Sequence, residues 1–596
     1  MRDIAGAAGR HAPGHHDRPV GALYVFNEIS GQDGMESDCD IIIMGAGAAG
    51  LTAAIVAADA GLFVRILEKT DLVGGATAYA AGGAFLPGCH HLPPEDVKAP
   101  LTYLEHKTQG RLDRALVERL LRAGPQALAY LEGHSEIAFQ GYGGLDYDAE
   151  APGARNFRTV TPVPFDGRVL GRWLKHVRPP LEAMTIFGGM QVDYADIARL
   201  LRATRSPRDM LYATGLLSRH LAGLLRYGRS PRMVFGNAFV GRLLKSVLDR
   251  ADRIELLLNT AVSDLLVERG RVSGVRCSHK GQSRELRARR GVLIASGGFS
   301  GNRTMREQRA PFPADHLSLP PSGNSGDGIS AALAAGASLS DSTINDYCYT
   351  PVSRMVARSG REILFPHFGL DRCYPGAIAV NGDGRRFVNE AAAYSDFVPA
   401  MHANGAVPAY LICDHRFLRR YGLGLVRPSP LPYRSFVRNG YLTEAKTLDG
   451  LARNLGISAE GLRDSVARNN GYAQTGIDLD FAKGRDAYSR SMGDPSHGPN
   501  PCIGPIAVAP FYAIRLYPGD TSSTAGLAAD AQGRVLDKQG EPIPGLHVAG
   551  ADMANPFLGT NPSGGCNIGP AMTVGYLAAK AIAAQIPQDG DRPGPA

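Results

Sequence analysis

Six residues, Gly45-Ala-Gly47-Ala-Ala-Gly50, stand between a strand-like apolar run, Asp40-Ile-Ile-Ile-Met44, and a small-residue helical run from Leu51 to Ala60. That spacing suits a pyrophosphate. Gly45 lets the strand turn sharply, Gly47 admits a phosphate against bare backbone, and Gly50 lets the helix lie close on the sheet. Ala48 and Ala49 then offer the helix N-terminal N–H groups to anionic charge. The next strand, Val64-Arg-Ile-Leu-Glu68, ends in an acid at the distance where ribose hydroxyls are met, and Lys69 follows it. Together these residues describe a dinucleotide cradle.

Further small-residue segments recur at distant places in the chain. Gly74-Gly75-Ala76-Thr77-Ala78-Tyr79 runs on to Gly82-Gly83, a stretch that lets backbone lie against a flat aromatic ring system, for which a flavin is the natural candidate. Strand-like runs through Val262 and on to Ile294 end in Ser296-Gly297-Gly298, with Asn302 beyond. Asp327 opens a helix over 329–336, and Gly550, Asp552, Asn567 and Ile568 precede a last helix over 572–584. The N-terminus of that last helix is expected near the flavin pyrimidine, where its partial positive charge favours an anionic reduced ring. These residues form the expected cofactor set on a doubly wound, Rossmann-type α/β fold.

The 596 residues exceed one hydrophobic core, and 44% apolar content can fill two. We expect a floppy extension over 1–35, an FAD-binding domain over 36–340 that resumes over 516–588, an inserted α+β substrate-capping domain over 341–515, and a loose tail over 589–596. A net charge of +7, from 64 basic and 57 acidic residues spread along the chain, reads as a mixed solvated surface and not a nucleic-acid footprint. Eight cysteines without a Cys-x-x-Cys pair suggest neither a disulfide framework nor an iron–sulfur centre. No metal site is expected either, since His15 and His16 lack a second ligand pair. No apolar run reaches membrane-spanning length, and a cytoplasmic protein is expected. Helices are expected near 96–133 and 195–227. The second carries Arg199, Arg202, Arg205, Arg208, Arg219, Arg226 and Arg229, which suits a solvated face and leaves a peripheral membrane contact open.

From about 38 to 585 the chain resembles the FAD-dependent 3-ketosteroid dehydrogenases, within the fumarate reductase and succinate dehydrogenase flavoprotein group. The resemblance rests on the cradle, on Gly74 to Tyr79 with Leu86-Pro87, on Asp146-Tyr147 through Gly153, and on Pro164-Phe-Asp-Gly-Arg168. It continues through Gly236 to Arg242, Gly323 to Gly328, Arg386-Phe-Val-Asn-Glu390 and Asn567 to Met572. It implies non-covalent FAD, since Ala80-Ala81-Gly82-Gly83 lacks the histidine of the covalent relatives.

Position 394 separates the branches. The dicarboxylate reductases have an arginine proton donor there, whereas the ketosteroid enzymes have a tyrosine base, and this chain has Tyr394. The resemblance gives Tyr147 as its partner. Removing hydrogens from neighbouring carbons of a ketone needs a base, donors for the developing enolate oxygen, and a hydride acceptor. A phenol has an ordinary pKa of about 10, so either that value falls or its proton passes to a neighbouring phenol. The family's Tyr-Pro-x-x-Gly segment is here Asn561-Pro562-Ser563-Gly564-Gly565, which removes a tyrosine donor. Gly565, the Asn561 amide and Ser563 remain as candidate donors. The resemblance implies a neutral steroid substrate desaturated at C1–C2. Desaturation at C4–C5, enone or fumarate-type reduction, and a non-catalytic electron-transfer flavoprotein stay open, as do the electron acceptor and the oligomeric state.

Overall fold

The computed structural model describes residues 39–203, 206–369 and 371–585. The expected extension over 1–35 and tail over 589–596 lie outside these residues. The first sheet has the order Arg534–Leu536, Pro542–Val548, Gln282–Ile294, Cys39–Met44, Val64–Leu67, Ile254–Leu257, parallel except at its Arg534–Leu536 edge. Its central strand is an unbroken apolar run, with Ile41, Ile42 and Ile43 fully buried, because helical layers leave neither face to water. Ile42 pairs with Val292 on one side and Arg65 on the other.

The first helix, Ala48–Asp59, starts at the cradle itself, three residues before the apolar run, with Gly47 as its N-cap. A Cβ on Gly50 would stand 2.2 Å from the Gly45 carbonyl oxygen, so glycine sets the approach of helix to strand. The closing helix, Ile568–Ala583, packs across the first one, where a Cβ on Gly575 would meet the Ala49 carbonyl oxygen at 2.6 Å. Both helix N-termini thus face one region. An antiparallel meander, Thr260–Glu268, Arg271–His279 and Gln282–Ile294, extends the sheet.

A second, mainly antiparallel sheet runs Glu362–Pro366, Tyr347–Val356, Phe511–Ser523, Ala409–Asp414, Ala377–Val380. Ile378, Ile412, Leu451, Leu462 and Ala513 form its core. Leu317–Ser318 also joins its long strand, so this sheet reaches outside 341–515 at both ends. Helix Tyr394–Ala403 lies against this layer.

Each long helical stretch is two helices. Asp113 caps Arg114–His134 after Lys98–Lys107, and Ser206 caps Pro207–Tyr227 after Tyr194–Arg202. A capping side chain and, in the second case, a proline at the first turn end the preceding helix. All eight cysteines are buried free thiols. Among the described residues no helix is long and apolar enough to cross a membrane.

Candidate active site

One cavity of about 860 Å³ gathers residues from nearly every segment singled out above. Gly45, Gly47, Ala48, Ala49, Glu68, Lys69, Val262, Ser296, Gly297 and Asp327 line one part. Gly75, Ala76, Thr77, Gly82, Gly83, Gly550, Asn567 and Ile568 continue it, and Tyr147, Tyr394, Asn561, Ser563 and Gly565 complete it.

The cradle fits a pyrophosphate on geometry alone. Gly45 has φ +101°, and a Cβ there would stand 2.3 Å from the Ala295 carbonyl oxygen. By contrast, the space above Gly47 is open out to the Thr77 hydroxyl at 4.0 Å. No side chain caps the first helix beyond the Ala48 N–H donated to that hydroxyl at 3.2 Å. Glu68 is nearly buried. Its carboxylate accepts the Ala46 N–H at 3.2 Å and the Thr70 N–H and hydroxyl at 3.0 and 2.8 Å, which fixes its direction. Lys69 donates to Ser325 and Asp327.

Six expected cofactor residues stand behind the cavity wall and do not line it. Gly50 carries the helix packing. Gly74, at φ +117°, sits against Val240 and donates its N–H to the Ala46 carbonyl at 2.8 Å, while Ala78 is buried beneath. The Asp552 carboxylate is fully buried and accepts from the Ser296 hydroxyl and from the Gly297 and Gly298 N–H groups at 2.9, 2.8 and 3.2 Å. It therefore shapes the glycine turn. Asn302 caps helix Arg303–Arg309 and donates to the Ser325 carbonyl.

Tyr394, the first residue of its helix, meets Tyr147 edge to face, with ring centroids 5.6 Å apart. Phe368 packs edge-on to Tyr394 at 5.0 Å and Tyr488 against Tyr147 at 5.2 Å. Burial pushes the Tyr394 phenol above its ordinary range and Cys348 adds to this, while the Tyr147 and Asn561 side chains draw it back. Burial raises Tyr147 too, with Tyr394 and Tyr488 adding to the rise. A lowered phenol pKa is thus not a property of this fold by itself. Burial wins because, among the described residues, no cationic side chain is a leading influence on either phenol.

Asn561 has φ +47°, a conformation asparagine tolerates better than most residues. Its amide nitrogen is buried and, beyond its approach to the Tyr394 phenol, makes no hydrogen bond of good geometry among the described residues, and the residue lines the cavity. Such a donor is available to a ligand oxygen. Gly565, at φ +85°, comes so close to Gly83 and Ala84 that a Cβ would meet their backbone at 2.6 Å.

Several residues that hold this arrangement carry no local signature. The Tyr103 hydroxyl donates to the Pro562 carbonyl at 2.6 Å and accepts the Asp148 N–H at 3.2 Å, and the Tyr147 N–H also goes to Pro562, at 3.0 Å. This ties the Tyr147 loop to the Asn561 loop. Beneath them the fully buried Arg158 binds Asp146 at 2.5 Å and Glu95 at 2.6 Å. Arg372, also fully buried, spends its guanidinium on the carbonyls of His367, Phe368, Glu390 and Ala392, ahead of Tyr394. Arg386 is held by Glu390 and Asp478, each at 2.9 Å, and Arg385 is exposed. None of these three arginines lines the cavity. Among the described residues its lining cations are Lys69 and Arg178, and Arg178 donates to the Thr70 hydroxyl at 3.0 Å, on the cradle side.

Comparison with known proteins agrees with this geometry. The FAD binding domain family matches residues 40–568. The chain is 36% identical over 577 residues to a 3-oxosteroid 1-dehydrogenase of Mycobacterium tuberculosis, spanning 92% of this chain and 98% of that one. It is 34% identical over 560 residues to the 4-oxocyclohex-2-ene-1-carboxylate 5-dehydrogenase of Sinomonas cyclohexanicum, spanning 91% and 94%. The crystal structure of 3-ketosteroid delta1-dehydrogenase from Sterolibacterium denitrificans, in complex with 1,4-androstadiene-3,17-dione, superposes with a TM-score of 0.84 at 34% identity, over 92% of this chain and 99% of that one. The chain belongs to the FAD-dependent 3-ketosteroid dehydrogenase family, and it is an FAD-dependent oxidoreductase acting on CH–CH groups.

Proposed function

We propose that this enzyme desaturates a neutral 3-ketosteroid, removing hydrogens from C1 and C2. The observation that carries this reading is the lining around Tyr394: phenols, Phe368 and amide donors, with both lining cations committed beside the cradle. A carboxylate substrate, whether fumarate or a cyclohexanone carboxylate like those of the Sinomonas relatives, would sit there without a partner charge. That weighs against the reductase reading.

In this reading the Tyr394 phenol gives up its own proton through Tyr147 to water and, as the phenolate, takes the proton beside the carbonyl. The Asn561 amide and the Gly565 N–H donate to the carbonyl oxygen as it gains negative charge, and Ser563 is a third candidate donor. FAD, held without a covalent bond, supplies the acceptor for the hydride that leaves the adjacent carbon. Ser563 keeps C4–C5 desaturation as the nearest competitor. The layer over 341–515 acts as the substrate cover, and an electron acceptor of unassigned identity reoxidises the enzyme. Leu211, Leu221 and Leu225 stand exposed among arginines on helix Pro207–Tyr227, which supports a peripheral contact with a membrane surface.

The test is anaerobic bleaching of the flavin by a 3-keto-4-ene steroid, beside 4-oxocyclohexanecarboxylate. The wild type should bleach with the steroid only, and Tyr394→Phe should keep its yellow cofactor and lose bleaching by at least about a hundredfold. Full-rate bleaching in Tyr394→Phe refutes the base assignment. Bleaching by the acid alone refutes the substrate class.

A further inference from the structure

Away from the cavity, the turn that follows Leu86-Pro87 brings two consecutive histidines onto one carboxylate. The Nε2 atom of His90 lies 2.6 Å from Glu132 Oε2, and that of His91 lies 2.9 and 2.8 Å from Oε1 and Oε2. Adjacent side chains usually diverge, yet here the two imidazole rings sit 4.2 Å apart, tilted by 42°, with both Nε2 atoms aimed at the same point. We propose that His90, His91 and Glu132 bind a zinc-type divalent cation, with water completing a tetrahedral shell.

Three observations bear on this. First, the donor set of two imidazole nitrogens and a carboxylate oxygen is one that zinc takes readily, with a fourth position left to solvent. His90 is about half exposed, so solvent reaches that position. Second, the carboxylate is aimed from behind: Glu132 Oε1 accepts the Phe139 N–H at 2.8 Å, the kind of outer hydrogen bond that fixes a ligand carboxylate. Third, the Glu132 side chain is only 16% exposed, and its ion-pair partners among the described residues are these two histidines, with Arg242 near enough to feel its charge.

This assignment replaces the expectation of no metal site. Its donors are two neighbours and a residue 41 positions on, a spacing unlike any zinc motif, and it exists only because helix Arg114–His134 passes the turn. The cation would pin that helix to the turn and, through the Phe139 N–H, to strand Phe139–Tyr142. Tyr142, Gly143 and Gly144 at the end of that strand line the cavity, so the clamp steadies one cavity wall.

The test uses the full-length FAD-loaded enzyme, freed of metal with a chelator and titrated calorimetrically with Zn²⁺ at pH 7.5. His91→Ala, Glu132→Gln and a His15→Ala/His16→Ala control are run alongside. One Zn²⁺ per chain is expected, weakened more than about tenfold in His91→Ala and in Glu132→Gln but kept in the N-terminal control. Zinc-edge X-ray absorption of the wild type should show two imidazoles in the shell, a reading that needs no variant to fold. Absence of binding, binding unchanged in both site variants, or loss confined to the N-terminal control overturns the proposal.

Discussion

Asn561 stands where the family resemblance implies a tyrosine, and the structure gives the difference a chemical sense. The side chain is nearly buried, its amide nitrogen makes no hydrogen bond of good geometry among the described residues beyond its approach to the Tyr394 phenol, and its backbone has φ +47°. An alanine at that φ would mix backbone strain with loss of the donor. Glycine removes the donor without the strain. We therefore expect Asn561→Gly to keep its FAD absorbance and thermal midpoint while kcat/KM for a ketosteroid falls about a hundredfold, the cost of about 3 kcal/mol seen when one oxyanion donor is lost. A variant within threefold of wild type would show that the amide does not face the carbonyl. Tyr394 and Tyr147 were legible in the sequence through family motifs. The Asn561 amide was also legible as a donor; Tyr103, Arg158 and Tyr488 were not, because each gains its role from a partner on a distant segment.

Glycines at helix crossings decide how closely the two cofactor-facing helices approach. In an exposed helix interior, Gly→Ala gains up to about 1 kcal/mol of propensity. Gly471, exposed in helix Ala459–Thr475 with open space around it, should follow that rule, and Gly471→Ala should raise the thermal midpoint. Gly575→Ala should do the opposite. Its Cβ would meet backbone at 2.6 Å, and overpacking typically costs about 1–3 kcal/mol, more than propensity returns. Since Ala49 and Ile568 both line the cavity, Gly575→Ala should also bind FAD more weakly in a fluorescence titration. Equal midpoint shifts in the two variants would show that the crossing is soft. The cradle itself was readable because strand, turn and helix are contiguous there. The reach of the second sheet was not, since strand Phe511–Ser523 is completed by partners from 317 to 445 that no local pattern announces.

For the molecule as a whole, pH sets limits from both sides. Burial raises the phenols of Tyr394, Tyr147 and Tyr488, so their contribution is intact below about pH 10 and is lost as pH rises above it. On the acid side His547 is the clearest determinant. It lies on the second strand from the edge of the first sheet, between Leu293 and Arg534, 2% exposed, with neither ring nitrogen hydrogen-bonded among the described residues. Burial lowers its pKa to about 4, Asp530 opposing this and Arg534 and Arg271 adding to it. A lowered histidine pKa means stability that is complete above about pH 6.5 and drains as pH falls toward 4, reaching about 3 kcal/mol for a shift of this size. His547→Leu removes both the titration and two unsatisfied nitrogens, whose desolvation costs about 1–3 kcal/mol each. With FAD in excess to hold ligand linkage constant, the thermal midpoint of the wild type should fall between pH 7.5 and 5.0, and that of His547→Leu should fall much less. If both fall in parallel, protonation of His547 is not what opens the sheet in acid.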